Sequence, residues 1–354
     1  MKLKLNDIYI FLSYFAICAG AFYLNSKFHI PWFVAADFDQ YYLVQNQPFH
    51  NEALAPFAYR IFTPTIANLF ENYGLFYESS STPFKEFYTK IDENSYRPSA
   101  LYSFIFVNYV FISISLFFLY KTIESIITDQ ENPLIKFVSF LLPTLIVLSF
   151  STLIFGFSGI VEGGTLMFVT LLAYFFLSNK LVLFFIFAIL SLSQRELIPL
   201  ILMPLIIFNG SYSNKKKITF FSVAMLVFII YFIIRKIIPI AGYENQLDIN
   251  SYFYHFLNFK ISKNLLFQWI FSQNILIALI LFFLTIKSFL KKLDFFYPFI
   301  ASSSMLFLLS IGNGVGEVGR ILNMCLPFLL IGFAQWLQFQ NTLFLKKIKY
   351  KTEH

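Results

Sequence analysis

Ten apolar segments can be laid along this chain, at residues 8–24, 101–120, 134–155, 165–177, 181–192, 197–208, 218–240, 265–286, 295–311 and 321–337. A segment surrounded by lipid has no water to satisfy its backbone, so it folds as a helix. The expected fold class is therefore an all-α polytopic membrane protein of about ten transmembrane helices, with 1–354 as one integral membrane domain. Three segments, at 165–177, 181–192 and 197–208, fall well short of the roughly 20 residues needed to cross a bilayer. They extend into polar neighbours, lie obliquely or re-enter.

Composition agrees. With 58% hydrophobic and 13% charged residues and a mean hydropathy of +0.69, the chain is not an ordinary soluble globule, whose apolar share is roughly 45 to 50%. The net charge of +7 does not point to nucleic acid, because the excess sits in short loops between spans, as in the cytoplasmic loops of membrane proteins. With the N-terminus inside, Lys2, Lys4, Lys121, Lys136, Lys180, the run Lys215 to Lys217, Lys287, Lys291, Lys292 and a basic tail at 339–354 fall on the cytoplasmic face. Arg60, Arg97, Arg195, Arg235 and Arg320 then all fall outside. Residues 8–24, preceded by two lysines, fit a signal anchor better than a cleaved signal peptide ending near Ala21. The abundance of Phe, Ile, Lys and Asn suits an AT-rich coding bias and a bacterial inner membrane. It also discounts the 50 phenylalanines as functional stripes, so a Phe-rich face is expected to be a wall against lipid. Cys18 and Cys325 lie in apolar segments and the four histidines lack ligand spacing, so nothing argues for a disulfide framework or a zinc site.

Residues 25–99 form the longest polar stretch and are expected to be the first extracytoplasmic loop. Thr63 followed by Pro64 suggests an N-cap and first helical position, with Gly74 as terminator. Ile66, Leu69 and Phe70 would share one face of a short helix lying on the bilayer surface.

Five stretches carry the candidate chemistry. Asp37-Phe38-Asp39 would, in an extended segment, point both carboxylates the same way. Such a pair can bind a divalent cation or separate its pKa values so that one acid becomes a base; the alternative is a solvated loop. Tyr59-Arg60 is embedded among aromatics, where the arginine either binds substrate or snorkels into headgroups. Glu162 is followed by Gly163-Gly164 and is either a ligand contact or a solvated acid in a tight turn. Gln194-Arg195-Glu196 interrupts a nearly continuous apolar run. Charges near membrane depth face a cavity or each other, so this trio is either a site or a self-paired interfacial turn. Glu317 and Arg320, three apart in a glycine-rich connection, are either a structural pair or ligand contacts.

The general plan, with an acidic motif at Asp37 and Asp39 in the first external loop and a Tyr-Arg-x-x-x-Pro stretch at Tyr59 to Pro64, resembles the GT-C superfamily of integral membrane glycosyltransferases. The resemblance implies a mannosyltransferase-like enzyme whose donor is a sugar on a polyprenyl phosphate, taken from the bilayer and passed to a glycan, lipid or protein acceptor outside. It implies Asp37 or Asp39 as base, Arg60, Arg195 and Arg320 as phosphate contacts, and Glu162, Glu196 and Glu317 as residues that orient the sugar or hold the arginines. A divalent cation on the acidic pair is compatible with it and not required by it. The competing expectations are a transporter or flippase of a lipid-linked or anionic solute, an O-antigen-type polymerase, or a non-catalytic assembly protein.

Overall fold

The computed structural model describes residues 5–27, 32–54, 57–73, 98–127, 132–149, 152–157, 160–238, 293–312 and 323–352. Every regular element among them is helical. In chain order these are α1 (Leu5–Lys27), α2 (Trp32–Asn46), a 3-10 turn (Phe57–Tyr59), α3 (Phe62–Asn72), α4 (Pro98–Ile126) and α5 (Pro133–Val147). A π-turn (Thr152–Gly156) leads to α6 (Glu162–Leu177), α7 (Leu181–Leu192), α8 (Ile198–Phe208), α9 (Asn214–Ile237), α10 (Tyr297–Gly312) and α11 (Leu326–Thr352). By length and composition α1, α4 and α9 can each cross a membrane, and α5 to α8 are shorter apolar helices. The protein is a membrane-embedded helical bundle. The expected span at 265–286 lies outside the described residues, and the basic tail continues α11 as helix to Thr352.

At the centre α4 and α6 run side by side in the same direction: Asn108 meets Ile160, Ser115 meets Thr170, and Phe118 meets Tyr174. Antiparallel to α4 runs α1, with Phe22 against Phe106, Phe15 against Tyr109 and Phe11 against Phe117. Three hydroxyls within α4 are closed on their own helix: Ser103, Ser113 and Thr122 each donate to a carbonyl three or four residues back.

The outer helices α7 and α9 each bury one stripe at helical spacing, Phe184, Ala188 and Ser191 on the first and Phe220, Ala224, Val227 and Tyr231 on the second. Val182, Ile186, Ile189, Ile229, Ile233 and Ile237 face outward. Among the described residues the outward face is thus largely aliphatic, with Phe185 and Phe232 also exposed on these helices, and the expected phenylalanine wall is not found there. Phe104, Phe157, Phe168, Phe176, Phe184, Phe220 and Phe328 are among the largest fully buried side chains. Rings fill interhelical space through edge contacts, as where Phe220 meets Phe176 and Phe184 at 5.1 and 5.0 Å between centroids.

The short helices have identifiable stops. Asn179 takes the left-handed conformation at φ 55°, and the N–H groups of Asn179 and Lys180 return to the carbonyls of Phe176 and Phe175. That is a Schellman closure of α6, with asparagine in the position glycine usually takes. At 12 and 11 residues, α7 and α8 rise about 18 and 16 Å against a hydrocarbon core of roughly 30 Å. The turn joining them, 193–197, therefore lies at the depth of Asn108, about 15 Å into α4 at 1.5 Å per residue.

Above that turn sit α2, the 57–59 turn and α3. Helix α3 packs on the core, Phe62 against Phe111 and Phe168, and Phe70 against Phe106. Its start differs from expectation. Ile61 is the N-cap residue, without a side-chain cap, and Thr63 and Pro64 are buried inside the first turn. Threonine is drawn inward because its hydroxyl has a partner across the interface. The segment expected at 134–155 breaks after Val147, where the hydroxyls of Ser149 and Thr152 bond the Asn323 side chain.

Candidate functional site

The turn at 193–197 is the hub. Phe62 donates its backbone N–H to the Ser193 carbonyl at 2.8 Å, and Thr63 Oγ1 donates to Gln194 Oε1 at 2.8 Å. On its other side the Gln194 amide donates to the Val161 carbonyl. Asn108 supplies the same service to the carbonyl of Ile160. Two carbonyls just before α6 are thus each met by a buried amide, that of Val161 in addition to the N–H and hydroxyl of Thr165. Gly163 and Gly164 permit this approach. A Cβ on Gly163 would lie 2.6 Å from Asn108 Oδ1, and one on Gly164 would lie 2.5 Å from Gln194 Nε2. The glycines admit protein amides here.

Two ion pairs cross this hub. Arg195 Nη1 donates to Glu162 Oε1 at 3.0 Å, with the side chains 7% and 3% exposed. Arg60 holds Glu196 in a fork, Nη2 to Oε1 at 2.9 Å and Nε to Oε2 at 3.3 Å, while its Nη1 donates to the Tyr41 hydroxyl at 3.2 Å. Arg60 so uses three of its five N–H bonds, and Phe57 lies against its guanidinium at 5.5 Å. Burial alone would pull the Arg60 pKa down, but Glu196 and Tyr41 leave it above the ordinary arginine value. Burial pushes the Glu196 carboxyl up, and the charge and hydrogen bonds of Arg60 outweigh it, holding the group below the usual carboxylate range. The partners agree: both favour the ionised pair. Glu162 is no solvated acid, and the adjacent Arg195 and Glu196 are not paired with each other.

The third described arginine is Arg235, near the end of α9. Its guanidinium lies 5.8 Å from the Tyr59 ring and 5.9 Å from the Tyr231 ring. The Tyr59 hydroxyl donates to the Ile238 carbonyl at 2.5 Å, fastening this end of α9 to the 57–59 turn. Lysines occupy the other end of the bundle. Lys121 bridges Asp7 and Glu124, Lys180 covers Tyr174, and Lys216 covers Tyr212. Arg60, Arg195 and Arg235 therefore lie toward one end of the bundle, with Lys236 beside Arg235, and Lys121, Lys180 and Lys216 toward the other.

Asp37 and Asp39 lie on α2, not on an extended strand. A helix turns about 100° per residue, so two residues apart the carboxylates diverge by about 200°. They do not converge on one cation, and no group of three metal-ligating side chains occurs among the described residues. Glu317, Arg320 and Arg97 lie outside the described residues. Comparison with family models, with curated proteins and with solved structures finds no match to this chain.

Four participants escaped the sequence reading: Asn108, Tyr41, Tyr231 and Arg235 as a neighbour of the cluster. Asn108 left a signal, as a lone amide inside an otherwise apolar span. Tyr41 and Tyr231 are two among 21 tyrosines, with nothing local to mark them.

Proposed function

We propose that the protein is a glycosyltransferase of GT-C type, with about ten spans, that moves a sugar from a polyprenyl-phosphate donor to an extracytoplasmic acceptor. One observation carries this reading. Three stretches far apart in sequence deliver Arg60, Glu162, Arg195 and Glu196 to one desolvated cluster at the bundle end opposite Lys121, Lys180 and Lys216, and lysine-rich ends face the cytoplasm. In the proposed step the acceptor hydroxyl oxygen attacks the anomeric carbon, and its proton passes to Asp37 or Asp39. The bond from that carbon to the phosphate oxygen breaks, and the phosphate leaves on its lipid. Glu162 and Glu196 hold the arginines in place, Gln194 fixes the turn, and Tyr59 supports Arg60. Cationic groups nearby stabilise the charge that develops on the departing phosphate. The location proposed is a bacterial inner membrane with both termini in the cytoplasm.

The test is transfer from a labelled polyprenyl-phosphate hexose by the full chain in lipid nanodiscs, read as release of polyprenyl phosphate and labelling of envelope acceptors. Asp39→Asn and Arg60→Ala should each abolish it while the protein remains folded. Full activity in both removes the proposed site. Donor movement between leaflets without release of polyprenyl phosphate would make the protein a flippase instead.

A further inference from the structure

We infer that Arg235 is the phosphate contact of this site, an anion-binding arginine for a phosphate group carried on a lipid. The choice of a lipid-linked donor as its ligand rests on the transferase reading; the anion contact does not. The argument begins with charge. Arg60 and Arg195 are each matched by one carboxylate, so the two pairs together offer an incoming anion no net charge. Arg235 makes no ion pair or hydrogen bond among the described residues, and its recorded contacts are the faces of Tyr59 and Tyr231. Stacking on rings leaves the N–H fork of a guanidinium available for phosphate oxygens, which is the geometry in which arginine differs from lysine.

The holder is rigid. Tyr59 and Tyr231 are each 4% exposed, they meet edge to face at 6.1 Å, and the Tyr59 hydroxyl is bonded to Ile238. An arginine pinned this way is preorganised, so less side-chain freedom is lost on binding. The position is part of the cluster, since the ring of Tyr59 lies against Arg235 and Tyr59 adjoins Arg60, which pairs with Glu196.

A plain boundary arginine would reach outward to headgroups from the last turn of a span. Neighbouring Lys236 is exposed and fits that description, whereas Arg235 is half-buried against inward-facing rings. The end of a membrane-crossing helix is also the depth at which lipid phosphates lie.

Binding of farnesyl phosphate to the purified full chain in dodecyl maltoside, by calorimetry, tests this, with farnesol as the control without phosphate and native mass spectrometry to record retained phosphatidylglycerol. Arg235→Ala should weaken farnesyl phosphate about ten-fold or more, the loss expected for a charge-assisted contact, and leave farnesol binding unchanged. Arg235→Lys should fall between. If Arg235→Ala does not fold, Arg235→Gln keeps volume and hydrogen bonding and should show the same loss. Wild-type affinity in a folded Arg235 variant overturns the inference while leaving the transferase reading standing. Loss of phosphatidylglycerol from Arg235→Ala, with no farnesyl phosphate bound by the wild type, upholds the phosphate contact, assigns it to bulk lipid and removes the lipid-linked donor. Binding of neither lipid by the wild type overturns the contact itself.

Discussion

Replacing Glu162 by glutamine keeps the side chain's size and removes only its charge, which isolates the value of the deepest ion pair. At 3.0 Å and an effective dielectric near 20, two unit charges attract by about 5.5 kcal/mol. Glutamine can still accept from Arg195, which returns about 1 kcal/mol, while the buried guanidinium loses the Glu162 charge. The expected loss is about 3–5 kcal/mol, the range for breaking one side of a buried pair. Taking roughly 2–4 °C per kcal/mol from larger soluble domains, the melting transition in detergent, followed by tryptophan fluorescence, should fall by about 6–20 °C. Removing both partners, Glu162→Leu with Arg195→Met, should recover most of this, because a well-packed apolar pair avoids the desolvation of two charges. A fall below about 2 °C in the single variant would mean that the pair is not desolvated. A double variant as unstable as the sum of its singles would mean that the two side chains do not act on each other.

Gly164→Ala, whose Cβ would press to 2.5 Å on Gln194 and 2.7 Å on Thr63, should cost about 1–3 kcal/mol by overpacking; Gly210→Ala, with nothing within 4 Å, should leave the melting transition unchanged. Glu196 has a folded pKa below its unfolded value, so its contribution is present above the unfolded carboxyl value of about 4.3 and lost as pH falls through the folded one. A pH series of melting curves should show the wild type losing stability below about pH 4, with that slope reduced in Glu196→Gln; equal slopes refute the assignment. For orientation, Asn51→Cys should react with an impermeant maleimide on intact cells and Ser211→Cys only after permeabilisation. Both positions are exposed, and labelling of both from one side would overturn the proposed sidedness.

Much of the helical plan was legible. Segments 181–192 and 197–208 are α7 and α8 to within a residue, because an uninterrupted apolar run bounded by polar residues has one stable local structure in lipid. Helix content within 25–99 was legible only in part. Thr63-Pro64 announces a helix start, but the hydrogen bond to Gln194 draws threonine inside and moves the start forward to Phe62. An Asp-x-Asp in a polar stretch carries no periodicity of its own, so carboxylates of Asp37 and Asp39 pointing the same way held only for an extended segment; the helix is evident only once Phe38 meets Phe104 and Tyr41 meets Phe57. The phenylalanine wall failed for a related reason. Composition says how many rings must be placed and nothing about which side of each helix has neighbours to receive them.

By itself the sequence determined that this chain is helical and membrane-embedded and that the middle of most apolar segments is free of charge, because apolar length and the cost of a bare backbone in lipid are local properties. It also marked Glu162, Arg195 and Glu196 as charges in places where charge is costly. Tertiary structure alone decided which charge answers which. Arg195 passes over its chain neighbour Glu196 to pair with Glu162, and Glu196 pairs with Arg60, 136 residues away. Adjacent side chains in a turn point apart, so in a dry interior each charge is satisfied by whatever group packing brings opposite it.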